Sequence, residues 1–214
     1  SSRSEMSGRE RSSCRCSVSR LTRPENPWAE MARSSAASDT SSQQNFRTKL
    51  SAFYGYSEQA KPKCIATEME DNPSGDRVVA AHIWPRYAAS AFPLDLEDGV
   101  NNASNGMFLH EKIEEEMDRL HVCFVCDPFK ISAKFVVLHR NILDEKLSGT
   151  QLKYRDLHLK DVEFKDNKRP SFKLLSRHAQ QAFGHTDNQQ WMDENIVSEL
   201  KSVVQVGSPQ KPDA

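Results

Sequence analysis

The fold of this chain is decided by two short stretches, Ala80-Ala81-His82-Ile83-Trp84-Pro85 and Asn105-Gly106-Met107-Phe108-Leu109. The first closes an apolar run that predicts a strand over 78–84. Pro85 ends that strand, because proline has no N–H to donate to a strand ladder. The second stretch predicts another strand over 106–109, so a long loop separates two short strands.

An acidic helix is predicted directly after the second strand, over 110–120, because its apolar residues recur on one face. Further out, the pattern predicts one helix that ends near Gly55 and another that starts at Pro170. Three more strands are predicted over 63–67, 122–125 and 134–139, and a final helix is predicted over 191–204.

Composition divides the chain into three segments. Residues 1–43 hold thirteen Ser and seven Arg with almost no aliphatic residues. They cannot bury enough surface to offset the entropy of ordering, and we predict a disordered tail. Residues 44–204 are predicted to form one domain with its core over 64–120, and residues 205–214 are predicted to fray.

Hydropathy, cysteines and charge narrow the class of protein. None of the 214 residues belongs to a run of the ~18 consecutive apolar residues that a membrane span needs, so no membrane partner is expected. Five cysteines, an odd number, favour a reducing, intracellular compartment over a disulfide scaffold. The net charge of the chain is -1, but the segments differ: residues 94–118 carry a net charge of -7 and residues 145–178 a net charge of +4.

The two deciding stretches and the acidic helix together resemble the HNH endonuclease family. The resemblance is to the branch that has a Cys-x-x-Thr strand, here Cys64-Ile65-Ala66-Thr67, before the "AHI-P" and "NG" motifs. It covers 46–183, and Arg169 to His178 is similar to the helix that closes the domain. It implies an α+β fold with a ββα-metal core, or His-Me finger, and a metal-dependent endonuclease that hydrolyses phosphodiester bonds of nucleic acid, with DNA favoured.

The resemblance also implies roles for individual residues. His82 is expected to be the general base, since an imidazole with a pKa of about 6.5 can take a proton from water at physiological pH. Asn105 is expected to fix the loop, to orient the base or to contact the metal. One divalent ion would stabilise charge on the phosphate and on the leaving oxygen.

The chain departs from the family pattern at its third signature residue, where Glu114 stands in place of His. Asp118 lies one helical turn further on, so the two carboxylates share a face and are predicted to bind one ion. An all-oxygen site favours Mg²⁺ or Mn²⁺ over Zn²⁺. Ala81 stands where many relatives outside this branch carry an Asp ligand, so the site is short of one ligand. The replacement of His by Glu114 leaves a catalytically degenerate HNH-fold domain as the alternative. Such a domain would bind nucleic acid or a protein partner without cleavage.

Three other interpretations stay open. His110 is an alternative third position, because it lies one helical turn before Glu114. The acidic residues of the helix would otherwise form a solvated face. Cys123 and Cys126 form a lone Cys-x-x-Cys that would suit a zinc-stabilised module, although buried cysteines in an apolar strand are the commoner case.

Five basic residues are predicted to contact the phosphate backbone without reading bases. They are Arg86, Lys168, Arg169, Lys173 and Arg177. The alternative for these residues is a solvated surface with scattered charges. The acidic segment would repel nucleic acid unless a cation neutralised it, which agrees with metal dependence.

Overall fold

The computed structural model describes residues 40–206, apart from 58, 73–76, 92–93, 95, 128, 165–167 and 185–189. Its helices are α1 (Thr40–Phe53), α2 (Glu111–Asp118), α3 (Tyr154–Leu157), α4 (Phe172–Gly184) and α5 (Glu194–Val206). Its strands are β1 (Val78–His82), β2 (Gly106–His110), β3 (Val122–Cys126), β4 (Ser132–Val137) and β5 (Asp161–Glu163). Short 3-10 turns lie at Arg86–Ala91, Gly99–Asn101, Ala103–Asn105 and Arg140–Ile142.

Two small antiparallel sheets carry the fold. β1 pairs with β2, and β4 lies between β3 and β5 in the second sheet. The helices contact these sheets rather than alternating with parallel strands. The mixed content of small sheets and separate helices that the sequence predicts is therefore confirmed.

The pair β1 and β2 leads directly into α2. Val78 faces His110 across the pair and His82 faces Gly106, so β1 ends where β2 begins. His110 caps α2, because its Nδ1 accepts the backbone N–H of Lys112 at 3.1 Å. α2 follows without an intervening loop and contacts both strands and β3.

Gly106 allows α1 to pack closely on this strand pair. A Cβ at this position would lie 2.4 Å from Cζ of Phe46 and 3.0 Å from Cδ1 of Leu50, both buried side chains of α1. Residues that face each other across an antiparallel pair project to the same side. His82 therefore lies on the face that α1 covers.

A second core lies between the other sheet and the two C-terminal helices. Alternate residues of β3 project to opposite sides: Phe124 and Cys126 join the main core, and Cys123 and Val125 pack with residues of α4 and α5. Cys123 and Cys126 are both buried free thiols on opposite faces of β3. This placement favours the alternative interpretation, ordinary buried cysteines of an apolar strand, over a zinc site.

The predicted strand over 63–67 is also wrong. Glu68 adopts a left-handed φ of 62°, and its N–H donates to the carbonyl of Cys64 at 2.7 Å. These residues therefore form a turn instead of an extended strand. The turn is attached to the edge of β2, since the N–H of Ile65 donates to the carbonyl of Phe108 at 2.9 Å.

The other predicted elements exist with shifted ends. β1 stops at His82, short of the predicted residue 84, and α4 begins at Phe172, after Pro170. The final helix begins at Glu194 rather than at residue 191 and runs to Val206.

The predicted disordered tail is described only at its end. Residues 40–43 belong to α1, so the first helix begins before the predicted boundary. Residues 1–39, together with 207–214 of the predicted frayed end, lie outside the described residues. Within the part of the chain that the structure describes, no helix is both long and apolar enough to cross a membrane.

Candidate functional site

His82 is held at the end of β1 by two neighbours. Its ring stacks on that of Phe46, with the ring centroids 3.7 Å apart and the planes inclined by 14°. Its Nε2 lies 3.3 Å from Oδ1 of Asn101, in the loop between β1 and β2. Burial lowers the pKa of His82 to about 4, against the opposing effect of the Asn101 hydrogen bond, and the charge of Arg86 lowers it further. The imidazole is therefore uncharged at neutral pH.

Asn105 is wholly buried and bonded to the backbone on both sides of the loop. Its Oδ1 accepts the N–H of Trp84 at 2.8 Å. Its Nδ2 donates to the carbonyls of Trp84 at 3.0 Å and Val100 at 2.7 Å. Of the three roles predicted for this residue, these contacts favour fixing the loop. They do not favour contact with a metal, because the amide oxygen is already engaged and shielded from solvent.

Glu114 and Asp118 are the two acidic residues of α2 that have no ion-pair partner among the described residues. Burial and, after it, the negative charge of Asp118 raise the pKa of Glu114 to about 7. The two carboxylates therefore lie close enough to repel each other. Asp118 reaches the surface, but the protein atoms around its carboxylate displace water and raise its pKa to about 6. The charge of Arg119 opposes this increase at Asp118 without cancelling it, and no positive charge opposes the increase at Glu114.

The turn after Pro85 connects the histidine with the carboxylates. The charge of Arg86 acts on the imidazole of His82. Burial raises the pKa of the neighbouring Tyr87 phenol, and the charge of Asp118 adds to that increase. Consecutive residues of this turn thus interact electrostatically with the two sides of the candidate site, Arg86 with His82 and Tyr87 with Asp118.

The remaining acidic residues of α2 are paired. Glu111 lies 3.7 Å from Arg77 and Glu115 lies 2.9 Å from Lys112. Glu116 is not part of a solvated face, since it is only 6% exposed. Burial alone would raise the pKa of Glu116, but the hydrogen bond and charge of His121, with the charge of Arg119, hold it below its ordinary value. These three acids have structural partners, which sets them apart from Glu114 and Asp118.

His110 is not supported as an alternative to Glu114. It is 1% exposed, and its Nδ1 is used to cap α2. A ring that is buried in this way cannot present Nδ1 to an ion at the surface. His110 is the N-cap of α2 instead of a residue of its face, so the spacing of one helical turn does not by itself place it beside Glu114.

The donor set at the site consists of two carboxylates. Among residues that the structure describes, no group of three or more His, Cys, Asp and Glu side chains is arranged to hold a metal ion. Mg²⁺ is usually held by one or two carboxylates, with waters and substrate phosphates completing its octahedral shell. Zn²⁺ instead takes three or four protein ligands. The pair Glu114 and Asp118 therefore fits Mg²⁺ or Mn²⁺ better than Zn²⁺.

The basic residues predicted to contact phosphates lie in two places. Arg86 is in the turn beside His82 and reaches Oε1 of Gln43 at 3.5 Å. The others lie in the segment before α4 and in its first two turns; between them, the N–H of Ser171 donates to the carbonyl of Ser104 at 2.7 Å, directly beside Asn105. Four side chains belong to this second group, Lys168, Arg169, Lys173 and Arg177.

Sequence reasoning missed Phe46 and Asn101. Phe46 is recognisable as a core residue of α1, but nothing in the sequence indicates that its ring stacks on an imidazole. Asn101 belongs to a pair of Asn residues that indicates only a turn. No periodicity links a loop residue with a strand residue, so its contact with His82 appears only in three dimensions.

A comparison with known families matches the part of the chain that carries the candidate site. Residues 64–125 match a family described as HNH endonuclease. The match includes β1, β2 and α2, and with them His82, Asn105, Glu114 and Asp118. It supports the HNH family for this part of the chain and a nuclease-type function in general. Among curated proteins, no match was found.

Proposed function

We propose that this chain is a metal-dependent endonuclease that hydrolyses phosphodiester bonds of nucleic acid, with His82 as the general base. In this proposal β1, β2 and α2 form a ββα-metal core. The observation that supports it most is the state of His82, which is uncharged at neutral pH and fixed by a stacked ring and a hydrogen bond. A general base must be unprotonated and oriented before the reaction begins.

The contact with Asn101 determines which nitrogen acts as the base. An amide oxygen only accepts hydrogen bonds, so Nε2 of His82 carries the proton that it donates to Oδ1 of Asn101. A neutral imidazole then has its lone pair on Nδ1. That nitrogen takes a proton from the attacking water, and the positive charge that forms on the ring remains hydrogen-bonded to Asn101.

Glu114 and Asp118 would hold the divalent ion, which when bound would offset the negative charge that develops on the phosphate and the leaving oxygen. The two carboxylates have the donor chemistry for Mg²⁺ or Mn²⁺, and neither is ion-paired among the described residues. Asn105 would contribute indirectly, by holding the backbone of Trp84 and Val100 and with it the loop that carries Asn101.

A second candidate is a catalytically degenerate domain that binds nucleic acid or a protein partner. The observation that favours it is the buried Ala81, which precedes His82 and has no donor atom. With Asn105 enclosed in the loop, only two carboxylates remain for the ion. A site with two protein ligands binds its ion weakly unless the substrate supplies further oxygens.

Nicking of supercoiled plasmid distinguishes the two candidates. The full chain is incubated with plasmid in Mg²⁺ or Mn²⁺, and the conversion to open circles is compared with and without EDTA. The endonuclease proposal expects nicking that EDTA abolishes and that Glu114→Gln reduces, whereas Glu111→Gln leaves it unchanged because Glu111 pairs with Arg77. Plasmid that is bound but stays intact in either metal would favour the degenerate domain.

A further inference from the structure

The loop between β3 and β4 ends in an exposed apolar tip. Phe129 is 91% exposed and Ile131 is 47% exposed, and no other large hydrophobic side chain of the described residues is exposed to this degree. We refer to residues 129–131 as the tip. Single exposed apolar residues are common on protein surfaces, so the surroundings of the tip decide its meaning.

Two basic side chains lie at the tip. Lys130 lies between the two apolar residues and exposes 69% of its side chain. Nη1 of Arg169 donates to the carbonyl of Lys130 at 2.9 Å, so the guanidinium is fixed against the tip. Lys168 is exposed, but its Nζ lies at Gly55, 3.3 Å from where a Cβ of that residue would be. The acid in this loop, Asp127, accepts the N–H of Phe129 at 2.9 Å and lies 3.6 Å from Nζ of Lys130, so its charge is engaged locally.

The same basic segment reaches the candidate active site. Ser171, two residues after Arg169, donates its N–H to the carbonyl of Ser104 at 2.7 Å. Two residues of extended chain span about 7 Å at most. The backbone of Arg169, whose side chain contacts the tip, therefore lies within about 7 Å of the residue that is bonded to the loop between β1 and β2. Lys173 and Arg177, one helical turn apart on α4, extend the positive surface from there.

We propose that the tip binds an unpaired nucleobase of the substrate, with Phe129 stacked on the base and Arg169 beside a flanking phosphate. This inference takes its substrate class from the proposed function. Aromatic side chains stack on bases of any sequence, and basic side chains follow the strand between them. In a continuous duplex the bases are already stacked, so the tip adds affinity only for single-stranded or gapped nucleic acid.

Fluorescence anisotropy of a labelled oligodeoxynucleotide tests this inference. The full chain carries His82→Ala so that the probe stays intact, and single-stranded and fully duplex forms of one sequence are compared in Mg²⁺. Phe129→Ala is expected to weaken single-strand binding about tenfold and duplex binding far less, while Phe129→Trp preserves both. Arg169→Ala is expected to weaken both and to reduce the salt dependence of binding. Lys146→Ala, at an exposed lysine outside the tip, is the control, and it is expected to leave the affinities for single strand and duplex unchanged.

Several results would overturn the inference. One is that Phe129→Ala and the parent chain bind the single strand with equal affinity. Another is that Phe129→Ala weakens binding of the duplex as much as binding of the single strand. The third is that no oligonucleotide binds at all. Sedimentation velocity that shows a dimer lost in Phe129→Ala would assign the tip to a second copy of this chain. Binding that depends on Phe129 in a chain that never nicks plasmid would leave the inference standing while the proposed catalytic function fails.

Discussion

At His82, burial and one amide oxygen set the protonation state of the ring. Burial disfavours the charged imidazolium, and Asn101 holds the proton on Nε2. The histidine could be predicted from the Ala-Ala-His-Ile-Trp-Pro motif, because its position before Pro85 is a local feature of the sequence. Asn101 could not, because the contact joins two segments that only the folded loop brings together.

Replacement of Asn101 tests the orientation of the base. Asn101→Ala removes the acceptor of the Nε2 proton, so we expect a mixture of the two neutral tautomers of His82 and slower nicking. Asn101→Asp keeps an acceptor and adds a negative charge, which should raise the pKa of His82 above about 4. Side-chain nitrogen NMR of the histidines reports both the tautomer and the pKa. An unchanged Nε2–H tautomer in Asn101→Ala would show that Asn101 does not orient the ring.

The carboxylates of α2 are tested by metal binding. Glu114→Gln and Asp118→Asn keep the side-chain shape but remove a charged donor, so we expect the affinity for Mn²⁺ to fall by about tenfold or more, which is 1.4 kcal/mol. The affinity of the parent chain should also fall as the pH drops through about 7, because Glu114 then becomes protonated. Isothermal titration calorimetry measures both effects. Glu111→Gln is the control on the same helix, and an equal loss in that variant would mean that the ion binds elsewhere.

At the level of elements, the packing of α1 on the strand pair places Phe46 against His82. This packing requires the absence of a side chain at Gly106, where a Cβ would lie 2.4 Å from Cζ of Phe46. The helix itself could be predicted from its apolar period. Its contact with the strands could not, because periodicity identifies a buried face but not the surface that the face meets.

Gly106→Ala tests this packing. The added methyl would displace Phe46 and Leu50, and overpacking of this kind costs about 1–3 kcal/mol. Chemical denaturation of the full chain measures the free energy of unfolding. Gly184→Ala is the matched control, because a Cβ there has no atom within 4 Å and should not destabilise the protein. Equal stabilities of the two variants would mean that α1 does not press on Gly106.

For residues 63–67, burial could be predicted from the sequence but the backbone conformation could not. Its apolar residues do enter the core, since Cys64 and Ala66 are buried. They do so from a turn, because Glu68 adopts a left-handed conformation and closes a hydrogen bond to Cys64. Burial can be predicted from hydropathy alone, whereas backbone direction here depends on one residue with an unusual φ.

For the whole molecule, buried histidines and buried carboxylates give opposite dependences of stability on pH. His178 is 8% exposed, donates from Nε2 to the carbonyl of Met117 at 3.1 Å, and has a pKa lowered by burial to about 4. Between that value and about 6.5, the unfolded chain binds more protons at this position, so stability rises with pH. Glu114 has a raised pKa and therefore acts in the opposite direction between about 4.5 and about 7.

His178→Gln isolates the contribution of this histidine. Gln can still donate to the carbonyl of Met117 but does not titrate. When the pH falls from about 7 to about 5, the parent chain should lose about 2 kcal/mol more of its unfolding free energy than the variant loses. Denaturant titrations at the two pH values provide the comparison. Parallel losses in the two proteins would mean that His178 is not held neutral in the fold.

The central claim, that His82 is the general base of a nuclease, is tested most directly by the single-turnover rate of plasmid nicking at saturating Mg²⁺. Loss of a general base costs about 10²–10⁴-fold in rate, so His82→Ala should nick slower by that factor. His178→Gln, at a second buried histidine with a similarly lowered pKa, should nick within a few-fold of the parent chain. A His82→Ala variant that folds and nicks as fast as the parent chain would contradict the account.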